Sequence, residues 1–127
     1  MSLFDDVREW NEVFDVPIAD RLDLIPIDRR ALRIDLHMEE ITELHNAMKS
    51  GNLVEIADGL ADLVWVLLGT AIEYGIPFDQ VWEEVRRSNF DKIGPDGEIR
   101  RRADGKILKP ESWMPPMIAD VLYGEGE

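Results

Sequence analysis

Residues 28–75 read DRRALRIDLHMEEITELHNAMKSGNLVEIADGLADLVWVLLGTAIEYG, and their punctuation decides the fold. Asp28 offers an N-cap for a helix over about 29–50, and Gly51 offers its stop. Asn52 can cap a further helix over 53–74, which Gly75 ends. With so short a turn between them, these two helices must run antiparallel.

Working outward, Leu3, Val7, Trp10 and Phe14 recur at helical spacing and predict an amphipathic helix over 3–14, ended by Pro17. A linker follows around 24–27. On the other side, Asp79 caps a helix over 80–90. Four helices with short connections predict a bundle. From Gly94 the texture changes to GPDGEIRRRADGKILKPESWMPP, where Asp104-Gly105 reads as a hairpin turn, and 117–123 suits one or two helical turns. The expectation is one all-α domain over 1–127: a four-helix bundle over about 3–90, then a short hairpin and extended tail over 94–127.

The helix over 53–74 is apolar on nearly all sides, through Leu60, Leu63, Val64, Val66, Leu67, Leu68 and Ile72. Such a helix is expected at the centre of a bundle. Three other helices of this length have limited capacity to surround it, so a homodimer or higher homo-oligomer is expected to complete the core.

The 127 residues carry 27 Asp and Glu against 14 Lys and Arg, a formal net charge of −13. That repels nucleic-acid polymers and anionic membranes. The chain has no Cys, which removes disulfides, thiolate nucleophiles and Cys-held metals. The acidic N-terminus does not read as a secretory signal, and the apolar run 60–72 falls short of the roughly 20 residues that span a bilayer. A cytoplasmic location is expected.

The acids are not scattered. Glu40 and Glu43 share a side of the second helix, with Glu39 at its margin, and Glu55, Asp58 and Asp62 share a face of the third. Glu43 and Asp58 stand at similar distances on either side of Gly51, so an antiparallel hairpin sets them opposite one another. Glu39 and Glu40 meet Asp62 by the same count. Two carboxylates 5 Å apart repel by about 3 kcal/mol at an effective dielectric near 20. Hard divalent cations with oxygen ligands relieve that strain, and Mg²⁺ typically keeps positions open for phosphate oxygens.

Other sites fail on particulars. Neither His37 nor His45 has Glu three residues before it, as a di-iron bundle requires, and both are expected at surfaces or packing margins. Asp96-Gly97 and Asp104-Gly105 lack the preceding ligands of a calcium loop. There is no GxxxxGK[ST] phosphate loop and no GxSxG elbow.

EEITE at 39–43, LADLVW at 60–65, SNFDK at 88–92 and RRADGKILKPESW at 101–113 together resemble the EExxE…ExxD pattern of the all-α nucleoside triphosphate pyrophosphatases. That superfamily contains MazG, dimeric dUTPases and phosphoribosyl-ATP pyrophosphatase. The resemblance runs from about 35 to 116, and its later part looks like the MazG-like branch with dUTP-hydrolysing members. It implies hydrolysis of a nucleoside triphosphate to monophosphate and pyrophosphate, with dUTP a candidate substrate and Mg²⁺ or Mn²⁺ as cofactor. The metal would fall to Glu40, Glu43, Asp58 and Asp62, with Glu55 in support, and the general base to Glu39 or Glu40. Asn89, Lys92, Arg102, Lys106 and Lys109 would face the phosphates. Trp65, on the acidic face, would stack on the base or join the core, whereas Trp10 and Phe14 are expected in the core, with contact to the nucleobase as the lesser alternative.

One departure bears on this. Anchoring the pattern on Asp62 puts Gly59 where Glu is expected; anchoring it on Asp58 finds Glu55 but shifts it by one turn. LADLVW favours Asp62, with Asp58 replacing the missing Glu. The departure also sustains an alternative, a non-catalytic helical module that binds metal or nucleotide and regulates.

Overall fold

The computed structural model describes residues 1–124. Among them are five helices and no sheet: α1 Leu3–Val13, α2 Ile27–Ser50, α3 Leu53–Tyr74, α4 Phe78–Phe90 and α5 Ile118–Tyr123. The all-α expectation stands. The chain divides into two compact units, residues 1–78 and the residues from 79 onward. The first holds α1, α2 and α3.

Local chemistry explains the helix ends. Ser2 Oγ accepts from the Asp5 N–H while the Asp5 carboxylate accepts from the Ser2 N–H, both at 3.1 Å, a reciprocal cap that starts α1. Asn52 Oδ1 accepts from the Glu55 N–H at 3.2 Å and starts α3 at the expected residue. Gly51 and Gly75 adopt φ of 71° and 70°, the left-handed conformation that glycine reaches without a Cβ penalty. Two starts differ from expectation. α2 begins at Ile27 with Pro26 as its cap residue, and α4 begins at Phe78, so Asp28 and Asp79 lie inside their first turns. An Asp there still favours the positive end of the helix dipole, and that is why sequence placed the boundary a residue or two late.

The core of the first unit is Val7, Leu68 and Ile72, with Phe4, Ile18 and Phe78 packed against it. The Phe4 and Phe78 rings stack with centroids 6.4 Å apart. The segment between α1 and α2 lies over the end of α3: the Ala19 N–H donates to the Ile72 carbonyl at 3.2 Å, and the Asp23 N–H to the Tyr74 carbonyl at 3.1 Å. The Tyr74 carbonyl would otherwise be left open by the helix terminus, whereas that of Ile72 also accepts from the Gly75 N–H at 3.2 Å.

α3 is only partly enclosed within the single chain. Leu68, Ala71 and Ile72 are buried, but Leu60 and Leu67 remain 51% and 45% exposed. Helices α1 and α2 cover part of its circumference and leave an apolar face open. Where α2 and α3 meet, they approach closely: a Cβ added at Gly59 would lie 3.3 Å from Leu44 Cα. No helix among the described residues is long and apolar enough to cross a membrane.

In the second unit, the segment before α5 is tied to α4. Trp113 Nε1 donates to the Ser88 carbonyl at 2.7 Å, and the Met114 N–H to Asp91 Oδ2 at 2.7 Å. The expected hairpin is reduced to one isolated antiparallel bridge, Arg101 with Ile107. The Arg102 N–H donates to the Lys106 carbonyl at 2.7 Å and the turn closes at Gly105, but pairing does not propagate into strands. A two-stranded ribbon with no third strand has little to hold it. The last three residues of the expected tail lie outside the described residues.

Candidate functional site

The hairpin of α2 and α3 sets Glu40, Glu43 and Asp62 together. Each offers a carboxylate oxygen, and the three oxygens lie within 4.8 Å of one another. Glu40 Oε2 is buried and has no hydrogen-bond partner. Burial, and after it the charges of Glu43, Asp62, Glu39 and Asp58, raise the Glu40 carboxyl above its ordinary pKa. None of Glu39, Glu40, Glu43, Glu55, Asp58 or Asp62 is in an ion pair with Lys, Arg or His among the described residues.

Toward Gly51, a cavity of about 490 Å³ continues the acidic groove, lined by Glu43, Asn46, Ala47, Ser50, Glu55, Asp58 and Gly59. Glu55 and Asp58 thus stand on the same groove as Glu43, and Glu39 acts on Glu40 from the margin. A buried, unpartnered carboxylate oxygen inside an uncompensated acidic cluster suits a hard divalent cation with oxygen ligands. The donor set contains no sulfur or imidazole, which weighs against softer transition metals.

Trp65 stands three residues after Asp62. Its ring meets Trp10 edge-on, with centroids 6.1 Å apart at 87°, and Trp10 stacks on Phe14 at 4.8 Å. These three are not core: Trp10, Phe14 and Trp65 are 39%, 61% and 40% exposed. The helical spacing that suggested a buried stripe is real, but of Leu3, Val7, Trp10 and Phe14 only Val7 is buried, with Asn11 one turn later and Phe4 packed against the same core.

The residues expected on the phosphate side lie in the second unit and are engaged there. Lys92 Nζ donates to Asn89 Oδ1 at 3.0 Å. Arg102 grips Asp104 through Nε at 2.9 Å and Nη2 at 2.5 Å, and the Lys106 N–H donates to the same carboxylate at 3.1 Å. Lys109 Nζ sits 4.2 Å from the centre of the Trp113 ring.

A buried charge network escaped the sequence reading. Glu73, 3% exposed, accepts a fork from Arg29 through Nε at 3.0 Å and Nη2 at 2.9 Å, and Arg33 Nη1 lies 3.0 Å from its other oxygen. Arg33 also donates to Thr70 Oγ1 and to the Val66 carbonyl, and His37 Nε2 is 2.6 Å from the same hydroxyl. Burial, and then Arg33, lower the His37 pKa, in keeping with a packing-margin histidine. The available signal was an Arg pair four apart on α2 and an acid ending the apolar run of α3.

A sequence profile of the phosphoribosyl-ATP pyrophosphohydrolase family matches residues 7–89. That span contains all six carboxylates, Trp65 and Asn89. An uncharacterized protein of Acanthamoeba polyphaga mimivirus is 26% identical over 92 residues, which cover 71% of this chain and 37% of that protein. The chain thus spans well under half the length of this relative.

Proposed function

From the premise that this chain belongs to the phosphoribosyl-ATP pyrophosphohydrolase family, we propose that it is a divalent-metal-dependent nucleoside triphosphate pyrophosphohydrolase. It would convert a (deoxy)nucleoside triphosphate and water to the monophosphate and pyrophosphate, in the cytoplasm, clearing non-standard or excess nucleotides. The observation that carries this is the convergence of Glu40, Glu43 and Asp62, with one buried oxygen unpartnered and no cationic side chain to neutralise them.

Glu40, Glu43 and Asp62 would hold Mg²⁺ or Mn²⁺, with Asp58 and Glu55 extending the set along the groove. Such an ion, once bound, would supply positive charge to the phosphates and acidify a water. It also accounts for a polyanion binding to a chain of formal charge −13. Glu39 stands beside the three ligands and retains a carboxylate free to take the proton of the attacking water. Attack falls on the α-phosphorus, the bond from that phosphorus to the bridging oxygen breaks, and pyrophosphate leaves. Asn89, Lys92, Arg102, Lys106 and Lys109 are proposed to face the phosphates. The open apolar face of α3 around Leu60 and Leu67 supports assembly with a second copy, which light scattering reads as twice the 14.6 kDa chain mass.

A second reading, a metal- or nucleotide-binding module without turnover, is favoured by Gly59 standing where the family pattern carries Glu. The test is pyrophosphate release from a panel of canonical and modified triphosphates, dUTP and phosphoribosyl-ATP included, with Mg²⁺, with Mn²⁺ and with chelator. Metal-dependent release from any member supports hydrolysis. No release across the panel, with metal still bound, transfers the site to the second reading.

A further inference from the structure

Along α2, Ile27, Ile34, Ile41 and Met48 recur every seven residues, and Ala31, Met38 and His45 each stand four residues after one of them. A repeat alternating by four and three, apolar at every position but His45, is the seam of a coiled coil. α2 meets α3 through a different strip: Arg33 and His37 reach Thr70, and Leu44 lies over Gly59.

The seam is uncovered. Ile27, Ile34, Met38, Ile41 and Met48 are between 46% and 76% exposed, and Ala31 and His45 are exposed with them. Packing on α3 already holds α2 as a helix. A second helix laid along the seam therefore meets a preformed surface, and little chain has to be ordered.

Self-complementarity identifies the occupant as a second copy of this chain. When two α2 helices lie antiparallel with Ala31 of one against Met48 of the other, Ile34 falls against His45 and Met38 against Ile41. Every seam position from 31 to 48 then has a counterpart, and the smallest side chain meets a long one at both ends. The same register brings Asp28 beside Lys49 of the second copy, at flanking positions where coiled coils form ion pairs. Neither Asp28 nor Lys49 is in an ion pair among the described residues. A parallel pairing would instead set His45 against His45 and Ala31 against Ala31, a polar pair and a gap. A membrane surface suits the seam less well, because Asp28 and Asp35 border it and the chain carries a net charge of −13.

We infer that α2 pairs antiparallel with α2 of a second copy, in the register that sets Ala31 against Met48, with Asp28 and Lys49 joined at both ends of the seam. This goes beyond the open face of α3, which fixes neither orientation nor register. It is independent of the hydrolytic reading, and its test reads no turnover.

The experiment uses the full chain, whose lack of Cys gives a clean background. The double variant Ala31→Cys, Met48→Cys is treated with a short bismaleimide linker, beside each single variant. In the antiparallel register two copies of position 31 lie about 25 Å apart, 17 residues along the helix, beyond the linker. The double variant should therefore yield a linked species of twice the 14.6 kDa chain mass, and neither single variant should. Linkage in the single variants means a parallel pairing and overturns the inference. A dimer that persists without linkage in the double variant overturns it too, because the copies then meet elsewhere. So does a natural chain that sediments as a monomer at about 50 μM, a concentration at which pairs of micromolar affinity assemble. As a second readout, Asp28→Lys and Lys49→Asp should each raise the dimer dissociation constant about tenfold, since both ends lose a pair and gain repulsion. The two together should return it to within about threefold of the natural value. Failure of the combination to restore pairing overturns the register.

Discussion

Arg33 Nη1 lies 3.0 Å from Glu73 Oε2, and the two side chains are only 9% and 1% exposed, so α2 and α3 are joined through a buried ion pair. Burial lowers the Arg33 pKa against the opposing pull of Glu73, which marks the carboxylate as the group that keeps this guanidinium tolerable inside the fold. Glu73→Ala would leave Arg33 uncompensated and take both fork bonds from Arg29. The expected loss is about 3–5 kcal/mol, read from urea or thermal unfolding. A loss under about 1 kcal/mol would mean that water reaches the pair. Replacing Arg33 and Glu73 together with apolar residues of similar volume should cost far less than Glu73→Ala alone, because no charge is stranded.

Asp62→Asn removes one charge from a cluster in which three carboxylate oxygens lie within 4.8 Å. Without metal, the variant should unfold at the same temperature as the natural chain or higher, since crowded negative charge is relieved. Pyrophosphate release should fall about 100-fold or more. In the natural chain Mg²⁺ should raise the unfolding midpoint and chelator should reverse it, whereas Asp62→Asn should lose that response. Full metal-dependent activity in Asp62→Asn would remove this residue from the ligand set. Asp58→Asn should cost less, as Asp58 is the weakest of the four neighbours that act on Glu40.

Much of this was legible in the residues because its causes are local. Asn52, Gly51 and Gly75 fix α3 and its antiparallel neighbour through capping and left-handed turns, and counting away from Gly51 then aligns Glu43 with Asp58. What was not legible depends on burial. Leu3, Val7, Trp10 and Phe14 share one helical spacing, yet of the four only Val7 is buried with Leu68 and Ile72. Arg33 and Glu73 look like surface charges until the helices are packed. Periodicity says which residues share a face, not which face is covered.

In the second unit, Glu84 Oε1 accepts from Arg87 Nε at 3.1 Å and Nη2 at 2.9 Å, and from the Met117 N–H at 2.9 Å. The Arg87 bond first, and then that of Met117, lower the Glu84 pKa below its ordinary value. A carboxyl depressed in the folded state contributes its full stabilisation above the unfolded pKa, near 4.3, and loses it as pH falls through the folded value. The tie from α4 to the start of α5 should therefore hold at neutral pH and loosen below about pH 4. Amide exchange at Met117, corrected for its intrinsic rate, should quicken over that interval, and at neutral pH in Glu84→Ala. Protection unchanged from pH 7 to pH 3 would show that other contacts hold the segment.

Gly59 and Leu44 set how closely α2 and α3 approach. A Cβ at position 59 would lie 3.3 Å from Leu44 Cα and 3.4 Å from its Cβ, and the Cα belongs to a helix backbone that cannot swing aside. Gly59→Ala gains about 1 kcal/mol of helix propensity, but overpacking against a backbone costs about 1–3 kcal/mol. The net expectation is a loss of about 1 kcal/mol, with the helices pushed apart by a few tenths of an ångström. Gly59→Glu should lose more stability and should not raise turnover, since its side chain would leave α3 within the seam against Leu44. If Gly59→Glu instead raises metal-dependent pyrophosphate release, the groove can take a Glu there, and Asp58 does not stand in for it.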